Sequence, residues 1–140
     1  MRVVFMGTPD FARTIFEALL DDPGVEVVAL FTQPDRPVGR KQILTPPVIV
    51  EPARKAGIAI YQPERLDDTQ AAIIRDLKPD MIVVAAFGQL VPASILSIAP
   101  CINLHTSLLP AYRGASPLQE SLLRGDRYCG VTAMLMDEGL

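Results

Sequence analysis

Histidine is the scarcest reactive side chain in this sequence of 140 residues: there is one, His105, alongside two cysteines and no tryptophan. Imidazole chemistry therefore has a single address, and no metal site is expected. Two cysteines make no disulfide framework. Cys101 and Cys129 both sit in apolar, strand-like runs and are expected as buried free thiols of a reducing, cytoplasmic compartment. Positive charge is also short, with 13 Lys and Arg against 16 Asp and Glu, a net −3. That balance excludes whole-domain attraction for nucleic acid, so any RNA contact has to be local. No apolar run reaches the length of a membrane span. The stretch from Met1 to Asp10 has no small-residue cleavage site and reads as a first strand rather than a signal peptide. The extra glycines of a dinucleotide fingerprint are missing too, because Pro9 and Asp10 follow Gly7-Thr8. A nicotinamide or flavin cofactor is accordingly not expected.

What is present alternates between strand and helix. Val3 to Met6 is a short apolar run ending at Gly7. A helix follows with Thr8 or Asp10 as its cap, Pro9 in its first turn and apolar positions at Phe11, Ile15, Ala18 and Leu19. Pro23-Gly24 ends it. Val25 to Phe31 is a second strand, and Gln33 to Pro47 a long loop. Helices are expected over about Val48–Lys55, Asp68–Leu77, Pro92–Ile98 and Pro117–Arg124. Strands are expected over Ile58–Tyr61, Met81–Phe87, Cys101–His105 and Val131–Met136. Near-continuous apolar strands between amphipathic helices predict one α/β domain, a doubly wound, mostly parallel sheet. Ligands of such sheets bind beyond the carboxyl ends of the strands, where Gly7, Thr32, Phe87, Gly88 and His105 all fall.

Asn103 and His105 lie two apart in an apolar run, so a strand points both to one face. A carboxamide donor, an imidazole and the loop Ser107-Leu108-Leu109-Pro110 together form a workable acyl-transfer site. On spacing alone, a turn-capping Asn103 and a half-buried His105 explain the pattern equally well. The helix opened by Thr8 could turn its free N–H groups toward a substrate phosphate or carbonyl, which makes Thr8 a candidate substrate contact. Arg36, Arg40 and Lys41 cluster in a segment rich in Pro and Gly, where charge alone reads as a solvated loop. Arg113 before Gly114 either shapes a turn or meets phosphate.

Asn103-Leu104-His105, Ser107-Leu108-Leu109-Pro110 and Arg113-Gly114-Ala115-Ser116-Pro117 together resemble the folate-dependent formyltransferases. Gly7-Thr8-Pro9-Asp10-Phe11-Ala12 and the segment Phe31 to Arg40 are similar to the branch of that superfamily that formylates methionyl-tRNA. The resemblance covers residues 1 to 140. It implies a Rossmann-like formyltransferase core, 10-formyltetrahydrofolate as formyl donor, and initiator methionyl-tRNA as partner of a monomer. It also implies catalytic roles for Asn103 and His105 and folate contacts from Ser107, Leu108, Leu109 and Pro110. Phe87, Gly88, Gln89 and Leu90 match the segment that holds the pterin, and Arg36, Arg40 and Lys41 match the basic loop that grips tRNA. A sugar-nucleotide formyltransferase, or a folate-binding protein without transfer activity, would share Asn103, His105 and the 107–110 loop. The family's third catalytic residue is the aspartate of a Gly-Leu-Asp-Thr-Gly pattern, and this sequence reads Asp137-Glu138-Gly139-Leu140 before it. The expectation is a catalytic domain incomplete at its C-terminus, without the family's OB-like domain and poorly active alone.

Overall fold

The computed structural model describes residues 1–138. Gly139 and Leu140, the first two positions of the expected aspartate motif, lie outside the described residues. The chain runs β1 (Arg2–Gly7), α1 (Asp10–Asp21), β2 (Glu26–Phe31), β3 (Arg36–Val38), β4 (Ile43–Thr45), α2 (Val50–Lys55) and β5 (Ile60–Tyr61). It continues through α3 (Asp68–Leu77), β6 (Met81–Ala85), α4 (Ala93–Leu96), β7 (Cys101–His105), α5 (Pro117–Leu123) and β8 (Thr132–Leu135).

Six strands form one sheet in the order β5-β2-β1-β6-β7-β8. All neighbours are parallel except β8, which runs antiparallel to β7 with Thr132 opposite His105 and Met134 opposite Asn103. Alternation along β1 divides the interior. Val4 and Met6 join Ile74 of α3 and Ile95 of α4 on one face, while Val3 and Phe5 join Phe16 of α1 and Ala53 of α2 on the other. Burying each such large apolar side chain contributes about 1.5–3 kcal/mol, which makes the two-faced β1 the keel of the domain. The Phe5 and Phe16 rings pack with centroids 5.4 Å apart. The sheet is therefore doubly wound, and it reverses its winding between β1 and β6, where such sheets open a ligand crevice.

Local chemistry sets the boundaries. Asp67 accepts from the Thr69 N–H at 2.9 Å while Gln70 reaches back to the Asp67 N–H at 2.9 Å, a capping box that starts α3. At Gly7 a Cβ would lie 2.6 Å from both Ala12 Cβ and the Ala85 carbonyl oxygen, so the absence of a side chain lets α1 approach β1 and β6.

Several expectations need correction. Neither Thr8 nor Asp10 caps α1: Pro9 holds the cap position without a side-chain bond, because the Thr8 hydroxyl donates to the Phe87 carbonyl at 3.1 Å. The Gln33–Pro47 segment is not a plain loop, since β3 and β4 pair within it as a small antiparallel hairpin. Strand β6 stops at Ala85, because Ala86 turns the backbone to φ 50°. Cys101 is buried, but Cys129 is exposed and lies outside any strand. Its apolar neighbours in sequence belong to the crossing into β8 and not to the core. Among the described residues no helix is long and apolar enough to cross a membrane.

Candidate active site

Strand β7 places Asn103 and His105 on one face, and two cavities meet there. A cavity of about 790 Å³ is lined by Asn103, His105, Leu109, Pro110, Arg113, Gly114, Met134 and Met136. A smaller one of about 340 Å³ shares Asn103, His105, Gly114 and Met136, and its walls include Phe11, Val84, Phe87, Gly88 and Gln89. The carboxamide and the imidazole thus stand at the junction of two chambers, one apolar with a cationic rim and one bordered by the exit of β6.

The imidazole is held from the loop. His105 Nε2 lies 2.9 Å from the carbonyl oxygen of Tyr112. A carbonyl only accepts, so this contact puts the ring proton on Nε2 and leaves Nδ1 as the acceptor of the neutral ring. The loop between them is braced internally. Ser107 is buried, its hydroxyl donating to the Ala111 carbonyl at 2.7 Å, and the Ala111 N–H donates to the Leu108 carbonyl at 3.1 Å. Thr132 at the start of β8 donates its hydroxyl hydrogen to the Ser107 carbonyl at 2.7 Å and accepts from the Leu109 N–H at 3.1 Å.

At the exit of β6 a second polar network forms. The Phe87 carbonyl accepts from Thr8 and from Gln33 Nε2, each at 3.1 Å. Gln89 Nε2 donates to Gln33 Oε1 and to the Pro63 carbonyl, each at 2.9 Å, and Gln62 Nε2 donates to the Gln33 carbonyl at 3.1 Å. Gly88 adopts φ 88°, and a Cβ there would lie 2.7 Å from Gln33 Nε2, so a side chain would be strained and would displace the Gln33 carboxamide. Gln89 Oε1 is buried without a hydrogen-bond partner among the described residues.

The predicted residues divide accordingly. Asn103, His105, Leu109, Pro110 and Arg113 line the larger cavity, while Phe87, Gly88 and Gln89 line the smaller one. Ser107 spends its hydroxyl inside the loop. Leu108 packs against Gly130 and lines neither chamber, and Leu90 is 85% exposed. Thr8 and Arg36 share a separate groove of about 370 Å³ between α1 and the hairpin, lined also by Gln33, Val38 and Pro46. Arg36 opens β3, whereas Arg40 and Lys41 occupy the hairpin's turn, all three exposed. None of these three takes part in an ion pair among the described residues. Sequence reading missed Gln33, Gln62, Tyr112, Thr132, Met134 and Met136 as parts of the site. Only Tyr112 carried a local signal, as an aromatic residue between the 107–110 loop and Arg113.

Among the described residues no three His, Cys, Asp or Glu side chains are grouped to hold a metal ion. A carboxamide and an imidazole thus stand together at the carboxyl end of β7, where ligands of doubly wound sheets bind. The chain belongs to the formyl transferase family, whose family model matches residues 1–140. It is 60% identical over 141 residues to a methionyl-tRNA formyltransferase of Sulfurimonas denitrificans, covering 100% of this chain and 47% of that protein. It is also 59% identical to a protein of the same name from Campylobacter fetus, covering 99% of this chain and 46% of that one. The chain thus spans about half the length of the curated relatives it matches. The same fold occurs in glycinamide ribonucleotide transformylase 1 of Symbiobacterium toebii, with TM-score 0.77 and 21% identity over 100% of this chain and 68% of that one.

Proposed function

We propose that this chain serves transfer of the formyl group of 10-formyltetrahydrofolate to the α-amine of methionyl initiator tRNA. The observation that carries the reading is the junction at Asn103 and His105, where donor and acceptor substrates could meet from two chambers. The names of relatives near 60% identity support methionyl-tRNA as the acceptor.

The chambers suit the donor's shape. Phe87 and Val84 offer apolar walls to a flat heterocycle, Gly88 lets backbone approach it, and Leu109, Pro110, Met134 and Met136 wall the larger space. In the reaction the amine nitrogen bonds to the formyl carbon, and the carbonyl π pair moves onto oxygen. The Asn103 carboxamide N–H stabilises that oxyanion, a donor of a kind whose loss raises a barrier by about 2.7–4 kcal/mol. The unprotonated Nδ1 of His105 takes the proton that the amine must shed. As the oxyanion collapses, the bond to the folate N10 breaks, and N10 leaves with a proton. Arg36, Arg40 and Lys41 give the acidic domain a local cationic surface for the tRNA phosphates.

Calorimetric titration with a stable 10-formyltetrahydrofolate analogue tests the donor half. Saturable binding by the chain, weakened in Asn103→Ala, is expected. A folded sample that takes up no analogue would overturn the folate assignment. For the acceptor half, the chain is expected to bind initiator tRNA in preference to a nucleotide-linked amino sugar, and the opposite preference would favour a sugar-nucleotide formyltransferase.

A further inference from the structure

The backbone of Tyr112 adopts φ 57°, a left-handed conformation that a bulky aromatic residue rarely takes. Two side-chain contacts hold it there. Its hydroxyl donates to Asp126 Oδ2, and the Arg124 guanidinium lies over its ring at 5.9 Å. Asp126 is itself tied to α5 by a bond from its N–H to the Ser121 carbonyl at 3.1 Å. On the other side, the Tyr112 carbonyl is the group that meets His105 Nε2. The side chain thus anchors to the turn after α5 while the main chain of the same residue faces the imidazole. Hydrogen bonding to Asp126 also raises the pKa of the Tyr112 hydroxyl, so the donor stays protonated throughout the neutral range.

We propose that Tyr112 is a positioning residue: through its hydroxyl bond to Asp126 it fixes its own carbonyl on His105 Nε2, holding the ring proton there and keeping Nδ1 free to accept one. The consequence for catalysis rests on the formyl-transfer reading, whereas the positioning does not. Asp126 is the far end of this device, and α5 is its base. Thr132 and Ser107 hold the same loop by other atoms, and among the described residues neither hydrogen-bonds the imidazole.

The sequence has one histidine, so the side-chain signals of His105 stand alone in a histidine-selective ¹⁵N–¹H spectrum. At pH 8 the wild-type chain is expected to show a proton on Nε2 that exchanges slowly with water. Tyr112→Phe and Asp126→Ala should speed that exchange roughly tenfold, the factor expected for loss of one hydrogen bond's local protection. Asp126→Asn, which keeps an acceptor for the hydroxyl, should retain most of it. Wild-type-like exchange in both disrupting variants would overturn the proposal, as would a wild-type ring protonated on Nδ1. If one disrupting variant does not fold, as read from its amide spectrum, the other decides. None of these measurements requires folate or tRNA, so failure here is separable from failure of the proposed reaction.

Discussion

Thr132 and Ser107 are joined across the edge of the sheet: the threonine hydroxyl donates to the serine carbonyl at 2.7 Å, though the two lie 25 positions apart in sequence. The same oxygen receives the Leu109 N–H, so one side chain of β8 serves two backbone groups of the loop beside His105. Removing the hydroxyl leaves both groups without their partner.

Thr132→Val keeps the shape of the side chain and removes both bonds. Stability is expected to fall by about 1–3 kcal/mol in urea denaturation, the usual penalty for stranding partly buried polar groups. Affinity for a 10-formyltetrahydrofolate analogue should fall with it, because Leu109 and Pro110 line the larger cavity. Unchanged stability would mean that the loop is held by its internal bonds alone.

Gly7→Ala tests the close approach of α1 to the sheet. The new methyl would lie 2.6 Å from backbone oxygen of Ala85, which cannot swing aside. A loss of about 1–3 kcal/mol or more is expected, seen as a lowered Tm. Gly57→Ala is a useful contrast: no atom lies within 4 Å of the added methyl, and only the φ of 70° opposes it.

Arg40→Ala should weaken tRNA binding and leave folate-analogue affinity unchanged, because Arg40 lines neither chamber at Asn103. The slope of log affinity against log salt should drop by roughly one. Equal loss of both ligands would sink the assignment of the hairpin to tRNA.

The two thiols should separate cleanly. Cys129 is exposed and is expected to react with a thiol reagent in the native chain; Cys101 is buried and should react only after denaturation. Burial pushes the Cys101 thiol from its ordinary 9.0 up to about 11. Below pH 9 folded and unfolded chains both keep this proton, and the contribution to stability is complete. Between 9 and 11 only the unfolded chain loses it, so stability falls as pH rises. Cys101→Ala should remove that part of the slope, measured as the difference between the two urea-denaturation profiles across this range.

The central sheet was legible because its strands are buried on both faces. Runs such as Met81 to Ala85 leave no polar position to confuse the pattern. The β3–β4 hairpin was not, since Arg36-Pro37-Val38 and Ile43-Leu44-Thr45 are short and exposed throughout. Asn103 and His105 could be paired from their spacing of two. Thr132 could not be connected to them, because antiparallel pairing of β8 brings it in from far along the chain, and Tyr112 could not, because a backbone carbonyl leaves no mark in residue identity and its anchor Asp126 lies beyond α5. Leu108 shows the converse: its neighbours in sequence line the cavity, yet its side chain turns to Gly130.

Because β8 runs against β7, its first residue and not its last lies at the ligand end of the sheet. The polypeptide therefore visits the site at the close of β1, β2, β6 and β7, and once more on its way in. A chain emerging from the ribosome sets out Gly7, Gln33, Phe87 and His105 well before Thr132 exists to steady Ser107. The parallel strands are all in hand before the residue that braces the loop beside His105. Order of synthesis thus separates the parallel sheet from the brace on the loop that borders it.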